Sequence, residues 1–114
     1  MHVMARLPTT TDVFNAVAEP QRRQIIDLLA QGERSVNEIA EALGLKQPQT
    51  SKHLRVLKEV GLVSVRGSGK QRLYKLNSEE LKPIYDWVTP FERYWSESFD
   101  RLDEVLQKMR KKEN

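Results

Sequence analysis

The stretch Lys46–Gly61, KQPQTSKHLRVLKEVG, constrains the fold more than any other part of the chain. Thr50, Leu54, Leu57 and Gly61 recur at spacings of four, three and four. That period puts them on one side of a helix and lets that side sit on a core. Pro48, Gln49, Ser51, Lys52 and Arg55 fall on the other side, and Glu59 is the only acid of the stretch. Pro48 fits a first helical turn, where its missing N–H would have had no partner. Gly61 fits the left-handed residue that ends a helix. A short helix with a hydrogen-bonding, cationic and nearly acid-free outer face matches what the major groove of DNA accepts. A solvated surface helix would carry many of the same side chains, so the flanking sequence has to decide between the two.

Upstream, Ser35-Val36-Asn37-Glu38 has the form of a capping box, a Ser followed three positions later by Glu. Val36, Ile39, Ala40 and Leu43 then line one face, and Gly44 closes the helix with Leu45 folding back as its hydrophobic contact. Only Gly44, Leu45 and Lys46 separate this helix from the basic one, which is a helix-turn-helix pattern. After Gly61 the period drops to two. Val63-Ser64-Val65-Arg66 alternates, Gly67-Ser68-Gly69-Lys70 reads as a turn, and Gln71 to Leu76 reads as a return strand. The hairpin stands where a wing would, with cations in Arg66, Lys70 and Arg72 and a core-covering set in Val63, Val65, Tyr74 and Leu76.

The flanks are helical. Thr11 or Asp12 is expected to cap a short first helix carrying Val13, Phe14 and Val17. Pro20 restarts the chain into a helix through about Ala30, with Arg22 and Arg23 read as ordinary surface cations. Asn77 with Glu80 is read as a second capping box opening a short helix near Pro83, and Thr89-Pro90-Phe91-Glu92 as a third start signal. The last helix, to about Met109, carries an apolar stripe of Phe91, Trp95, Phe99, Leu102, Leu106 and Met109, flanked by Tyr94 and preceded by Trp87. So small a domain has little core left for that much apolar surface. An exposed apolar stripe marks a partner surface. A dimer interface is therefore expected over Phe14, Trp87, Phe91, Tyr94, Trp95, Phe99, Leu102 and Leu106. Packing of the last helix on its own domain is the competing reading.

Charge is distributed unevenly. Residues 46–75 hold eight basic side chains against the single acid Glu59, a net +7, so the rest of the chain carries −4 of the total +3. A basic block on an otherwise acidic body is the footprint of a phosphate-binding surface. With no Cys, the chain has no disulfide, zinc–thiolate site or thiol redox sensor, which suits a cytoplasmic protein. No apolar run approaches membrane-span length, and no signal-peptide pattern opens the chain. An enzyme is not expected: there is no nucleophile elbow and no HExxH, and Gly67-Ser68-Gly69-Lys70 lacks the spacing of a phosphate loop.

Taken together, Glu19-Pro20-Gln21-Arg22, Ser35 to Ala40, Gln47 to Leu54, Leu57 to Val63 and the wing Arg66 to Lys70 with Tyr74 resemble the ArsR/SmtB family of bacterial winged-helix repressors. The resemblance covers nearly the whole chain and is strongest over Ala18–Leu76. It implies a mainly α fold with a small β-hairpin (α+β), a winged helix-turn-helix with an N-terminal and a long C-terminal dimerisation helix. One domain over 1–114 is expected, with the helix-turn-helix at about 35–61, the wing at about 63–76 and the terminal helix at about 90–109. It further implies a homodimer that binds an imperfect palindrome in promoter DNA and represses transcription until a signal releases it. The family's recognition-helix contacts map onto Gln47, Gln49, Ser51, Lys52, His53 and Arg55, and its wing contacts onto Arg66, Lys70 and Arg72. On a helical wheel His53 drifts toward the buried stripe.

The departures bear on the signal. Ser35 stands where metal-sensing relatives carry a Cys, and a hydroxyl is a poor ligand for soft metals. No His follows His53, and Glu92, Glu97, Asp100, Asp103 and Glu104 read as a solvated face. No metal site and no cofactor are expected, although a metal-responsive repressor of the same family is an alternative, as is a winged-helix module that binds protein. If a small-molecule inducer exists, the aromatic-rich region of Trp87, Tyr94, Trp95 and Phe99 is where it would sit. Plain interface packing accounts for the same residues.

Overall fold

The structure is a computed structural model that describes residues 12–113, with the side chains of 96–99, 112 and 113 outside the description. Its order is α1 (Val13–Ala16), α2 (Pro20–Leu29), β1 (Arg34–Ser35), α3 (Val36–Leu43), α4 (Gln47–Glu59), β2 (Val63–Ser68), β3 (Gln71–Leu76), α5 (Lys82–Val88) and α6 (Glu92–Glu113). A 3₁₀ turn precedes each of the last two helices, at Ser78–Leu81 and Thr89–Phe91. The chain separates into two compact units, one up to Pro83 and one from Ile84.

In the first unit α1, α2 and α3 pack against α4, and the sheet packs against α2, α3 and α4. The core consists of Ala16, Ile25, Leu29, Ile39, Leu54, Leu57, Leu62 and Val63, each at most 3% exposed. Burial of each large side chain in this set contributes about 1.5–3 kcal/mol. Thr50 is the polar member of the α4 stripe and is fully buried; its hydroxyl donates to the Lys46 carbonyl one turn back, so no polar atom is orphaned.

Local rules account for the helix ends. The Asp12 carboxylate accepts the Asn15 N–H and caps α1, while Thr11 lies outside the described residues. The Ser35–Glu38 capping box forms in both directions, with Glu38 N–H donating to Ser35 Oγ and Ser35 N–H to Glu38 Oε1. Gly44 ends α3 at φ 67° and Gly61 follows α4 at φ 82°, both left-handed. In each turn the residue after the glycine donates back to the last helical turn, Leu45 to Ala40 and Leu62 to Leu57.

Three expectations are corrected. Arg22 and Arg23 are not free surface cations: Arg22 donates to the carbonyls of Ala16 and Asn15, and Arg23 to that of Val17. The last carbonyls of a helix find no donor within the helix itself, and a guanidinium supplies one. Asn77 makes no side-chain cap; its amide donates to the Gly61 carbonyl at 3.0 Å instead. Thr89 does not cap α6 either, because its hydroxyl donates backwards to the Tyr85 carbonyl.

The hairpin becomes a three-stranded antiparallel sheet in the order β1-β3-β2, with Arg34 opposite Tyr74 and Ser35 opposite Leu73. The return strand spans Gln71–Leu76 as expected, but β2 runs two residues further than the alternation implied, to Ser68 paired with Gln71, leaving only Gly69 and Lys70 as the loop. Gly69 has φ 64°, the positive value a two-residue hairpin turn demands. In the second unit α6 continues to Glu113, beyond the expected end near Met109. Arg110, Lys111 and Lys112 are good helix formers and suit the negative end of the helix dipole.

Candidate nucleic-acid interface

α4 presents the outer face that its sequence implies. Gln47, Gln49, Ser51, Lys52 and Arg55 are exposed, while Thr50, Leu54 and Leu57 on the opposite side are buried. The burial of that stripe fixes the helix in rotation, so the exposed set is held outward by the core. Lys46 takes the N-cap position without a side-chain hydrogen bond, and Pro48 occupies the first turn.

Gln49 of this set and the neighbouring His53 are tied to the body. Gln49 Nε2 donates to Gln21 Oε1 at 2.7 Å, and His53 Nε2 lies 2.9 Å from the same oxygen. His53 is half-buried, in keeping with its place beside the apolar stripe. Close by, Glu19 caps α2. Partial burial raises its carboxyl, but the Arg22 and Gln21 N–H groups it accepts, with the charges of His53 and Arg22, outweigh that and hold it below the usual carboxylate value. Gln21 therefore touches the candidate face, a contact that the sequence did not announce; it appeared there only as part of the family-like EPQR string.

The wing cations separate. Lys70, Gln71 and Arg72 line an open concavity of about 210 Å³ together with Gln47, Ser35, Val36 and Asn37. The hairpin tip thus stands beside the N-terminal ends of α3 and α4. Arg66 belongs elsewhere: in the register, Val65 faces Tyr74 and Gly67 faces Arg72, whereas Arg66 pairs with Leu73. Alternation then puts Arg66 and Arg72 on opposite faces of the sheet. Arg66 makes a two-pronged ion pair with Glu33, Nε to Oε2 at 2.8 Å and Nη2 to Oε1 at 3.0 Å. That hydrogen-bonded pair holds the Glu33 carboxyl below its usual value and raises the Arg66 guanidinium further. Arg66 also lines a separate open cavity of about 620 Å³ with Leu29, Gly32, Lys75 and Leu76.

Ser35 is 5% exposed, and its hydroxyl is used by the α3 cap. Among the described residues, no three His, Asp or Glu side chains converge on a point that could hold a metal ion. No described helix is long and apolar enough to cross a membrane.

The expected dimer residues are largely at the surface of the single chain. In the first unit Phe14 is 40% exposed. In the second, Trp87, Phe91, Tyr94, Trp95, Leu102 and Leu106 are each at least 40% exposed, with Val105 and Met109 continuing the α6 stripe. Trp87 and Phe91 meet edge to face at 6.2 Å between ring centres. The side chain of Phe99 lies outside the described residues.

Known proteins agree with this architecture. Residues 19–65 match the bacterial regulatory protein, arsR family. The transcriptional repressor SdpR of Bacillus subtilis is 35% identical over 80 residues, which make up 70% of this chain and 89% of that protein. The crystal structure of a possible transcriptional regulator for arsenical resistance superposes with a TM-score of 0.63 at 36% identity, over 82% of this chain and 94% of the other. The homodimeric winged helix-turn-helix DNA-binding domain of Mb0332 from Mycobacterium bovis matches with a TM-score of 0.59 at 38% identity, over 71% of this chain and 75% of that one. A winged helix-turn-helix with a buried-stripe recognition helix, matched over most of its length by these proteins, makes this chain a member of the arsR family of bacterial regulatory proteins, a DNA-binding transcriptional regulator.

Proposed function

We propose that the chain acts in the cytoplasm as a homodimeric repressor, without catalytic activity, that binds an imperfect palindrome in a promoter. The observation that carries this reading is the outer face of α4, where Gln47, Gln49, Ser51, Lys52 and Arg55 are exposed together above a buried stripe. Two-fold symmetry would set the two copies of α4 about 34 Å apart, in successive major grooves on one side of the duplex. Lys52, Lys70 and Arg72 neutralise phosphates and supply the salt-dependent part of the affinity. Gln49, Ser51 and Arg55 read base edges, because amide, hydroxyl and guanidinium groups match the donor and acceptor pattern of the major groove.

In this reading residues 1–114 work as one DNA-binding module, with the apolar stripe of α6 and the first helix joining two copies. The exposure of Leu102, Val105, Leu106 and Met109 along one helix supports that role. Release from DNA by a small-molecule signal belongs to the same proposal.

The test is a salt titration of binding to the chain's own upstream promoter DNA against scrambled DNA, with oligomeric state followed in parallel. Promoter-selective binding by a dimer, with a steep fall in affinity as salt rises, is the expected result. Equal and weak binding to both duplexes would overturn the proposal.

A further inference from the structure

Gln21 lies outside the helix-turn-helix, at the second position of α2, yet its side chain reaches the recognition helix. Its own backbone is held in place, since its N–H donates to the Glu19 carboxylate behind Pro20. Its side-chain oxygen accepts from Gln49 Nε2 at 2.7 Å and meets His53 Nε2 at 2.9 Å. An amide oxygen has two lone pairs and no proton, so it can accept from Gln49 and from His53 at once. Gln49 and His53 are four residues apart on one side of α4, which is why a single acceptor bridges them.

We infer that Gln21 is a positioning residue for base readout: it holds one end of the Gln49 amide and so sets which base edge α4 prefers. The inference rests on the DNA-binding role of α4 proposed above. A free glutamine amide turns over by half a rotation and presents its donor and acceptor in either order. Once one N–H of Gln49 is committed to Gln21, its oxygen and remaining N–H are left for a base in a single order. Gln49 is exposed, so those groups are accessible to DNA. Adenine offers an acceptor at N7 beside a donor at N6, a pair that a fixed amide reads with two hydrogen bonds. His53, half-buried on the same oxygen, acts as a strut that keeps Gln21 turned toward α4 and makes no base contact.

The experiment selects preferred duplexes from a randomised pool, using the full chain and its Gln21→Met, Gln21→Ala and Gln21→Glu variants. Gln21→Met keeps side-chain length without an acceptor, and Gln21→Ala repeats the comparison with a smaller side chain. Both should lose about five- to tenfold of the preference at one position in each half-site, within the range a two-bond base contact supplies. Their affinity for scrambled DNA and their salt slope should match the parent. Gln21→Glu retains an acceptor and should keep the base preference even though its added charge weakens binding to every duplex. In a Gln49→Ala background, Gln21→Met should change nothing further. Unaltered preference in Gln21→Met and Gln21→Ala would overturn the inference, as would an equal loss on all duplexes or an effect that persists without Gln49. A parent chain that selects no sequence at all would instead remove the repressor reading on which the inference stands.

Discussion

Replacing Lys70 by Ala is expected to flatten the salt dependence of DNA binding, whereas removing Arg66 and Glu33 together is not. Lys70 is exposed at the hairpin tip, in the concavity shared with Gln47 and Arg72. Taking away one phosphate-neutralising cation lowers the slope of log affinity against log salt by about 0.9, hence by about 1.8 for a dimer. A fourfold rise in salt spans about 0.6 of a log unit, so over that range the variant should lose about tenfold less affinity than the parent. Arg66 is already neutralised: its guanidinium meets Glu33 at 2.8 and 3.0 Å, and its strand register turns it away from Arg72. The double variant Arg66→Ala/Glu33→Gln removes two charges of opposite sign and leaves the net charge unchanged. Fluorescence anisotropy on a labelled promoter duplex, across a series of potassium chloride concentrations, reads all three slopes. If the double variant flattens the slope as much as Lys70→Ala, Arg66 leaves Glu33 to reach a phosphate and the reasoning fails.

Four further outcomes follow from the same geometry. Leu57→Ala removes a fully buried side chain at the centre of the core and should cost about 2–5 kcal/mol in urea unfolding; a cost below about 1 kcal/mol would mean that α4 is not anchored there. Ser35→Ala deletes the α3 cap and should cost about 1 kcal/mol in the same assay. Glu19 is held below the ordinary carboxylate value of 4.5, so the folded chain binds fewer protons than the unfolded one just below that value. Its contribution is present at neutral pH and is lost as pH falls through the lowered value. Urea midpoints measured down to acid pH should therefore fall less steeply for Glu19→Gln than for the parent. Leu106→Glu places a charge on the exposed α6 stripe; sedimentation should then give a monomer with unchanged helix content, and an intact dimer would take Leu106 out of the interface.

The parts of the fold that a sequence displays are those written in short-range chemistry. The four-three-four spacing of Thr50, Leu54, Leu57 and Gly61, the Ser35–Glu38 reciprocity and the left-handed glycines all involve residues within one or two turns of each other. The misreadings arise where a side chain has two competing uses. Asn77 had the pattern of a cap, but the Gly61 carbonyl sixteen positions away claimed its amide. Arg22 and Arg23 looked like solvated cations because nothing in their own turn announces the carbonyls of α1 that they bind. β1 is two residues long, too short to show alternation, and its second residue is also the cap of α3. The exposed face of α4 was legible because helical periodicity alone sorts it from the core. The opposite facing of Arg66 and Arg72 already follows from the turn read at Gly67–Lys70, but the carboxylate that claims Arg66 lies 33 positions away at Glu33, and nothing local announces it.

Asn77 binds three segments of the chain to one another. Its backbone N–H donates to the Leu62 carbonyl at 2.8 Å, its amide donates to Gly61 at 3.0 Å, and Ser64 reaches its side-chain oxygen. The exit of the recognition helix and both ends of the hairpin are thereby riveted at one residue. Helix and wing thus share one hydrogen-bonded root, which resists a change in the angle between them. In the proposed repressor, a releasing signal would therefore act more readily on the span between the two copies of this helix and wing than on the angle within either one.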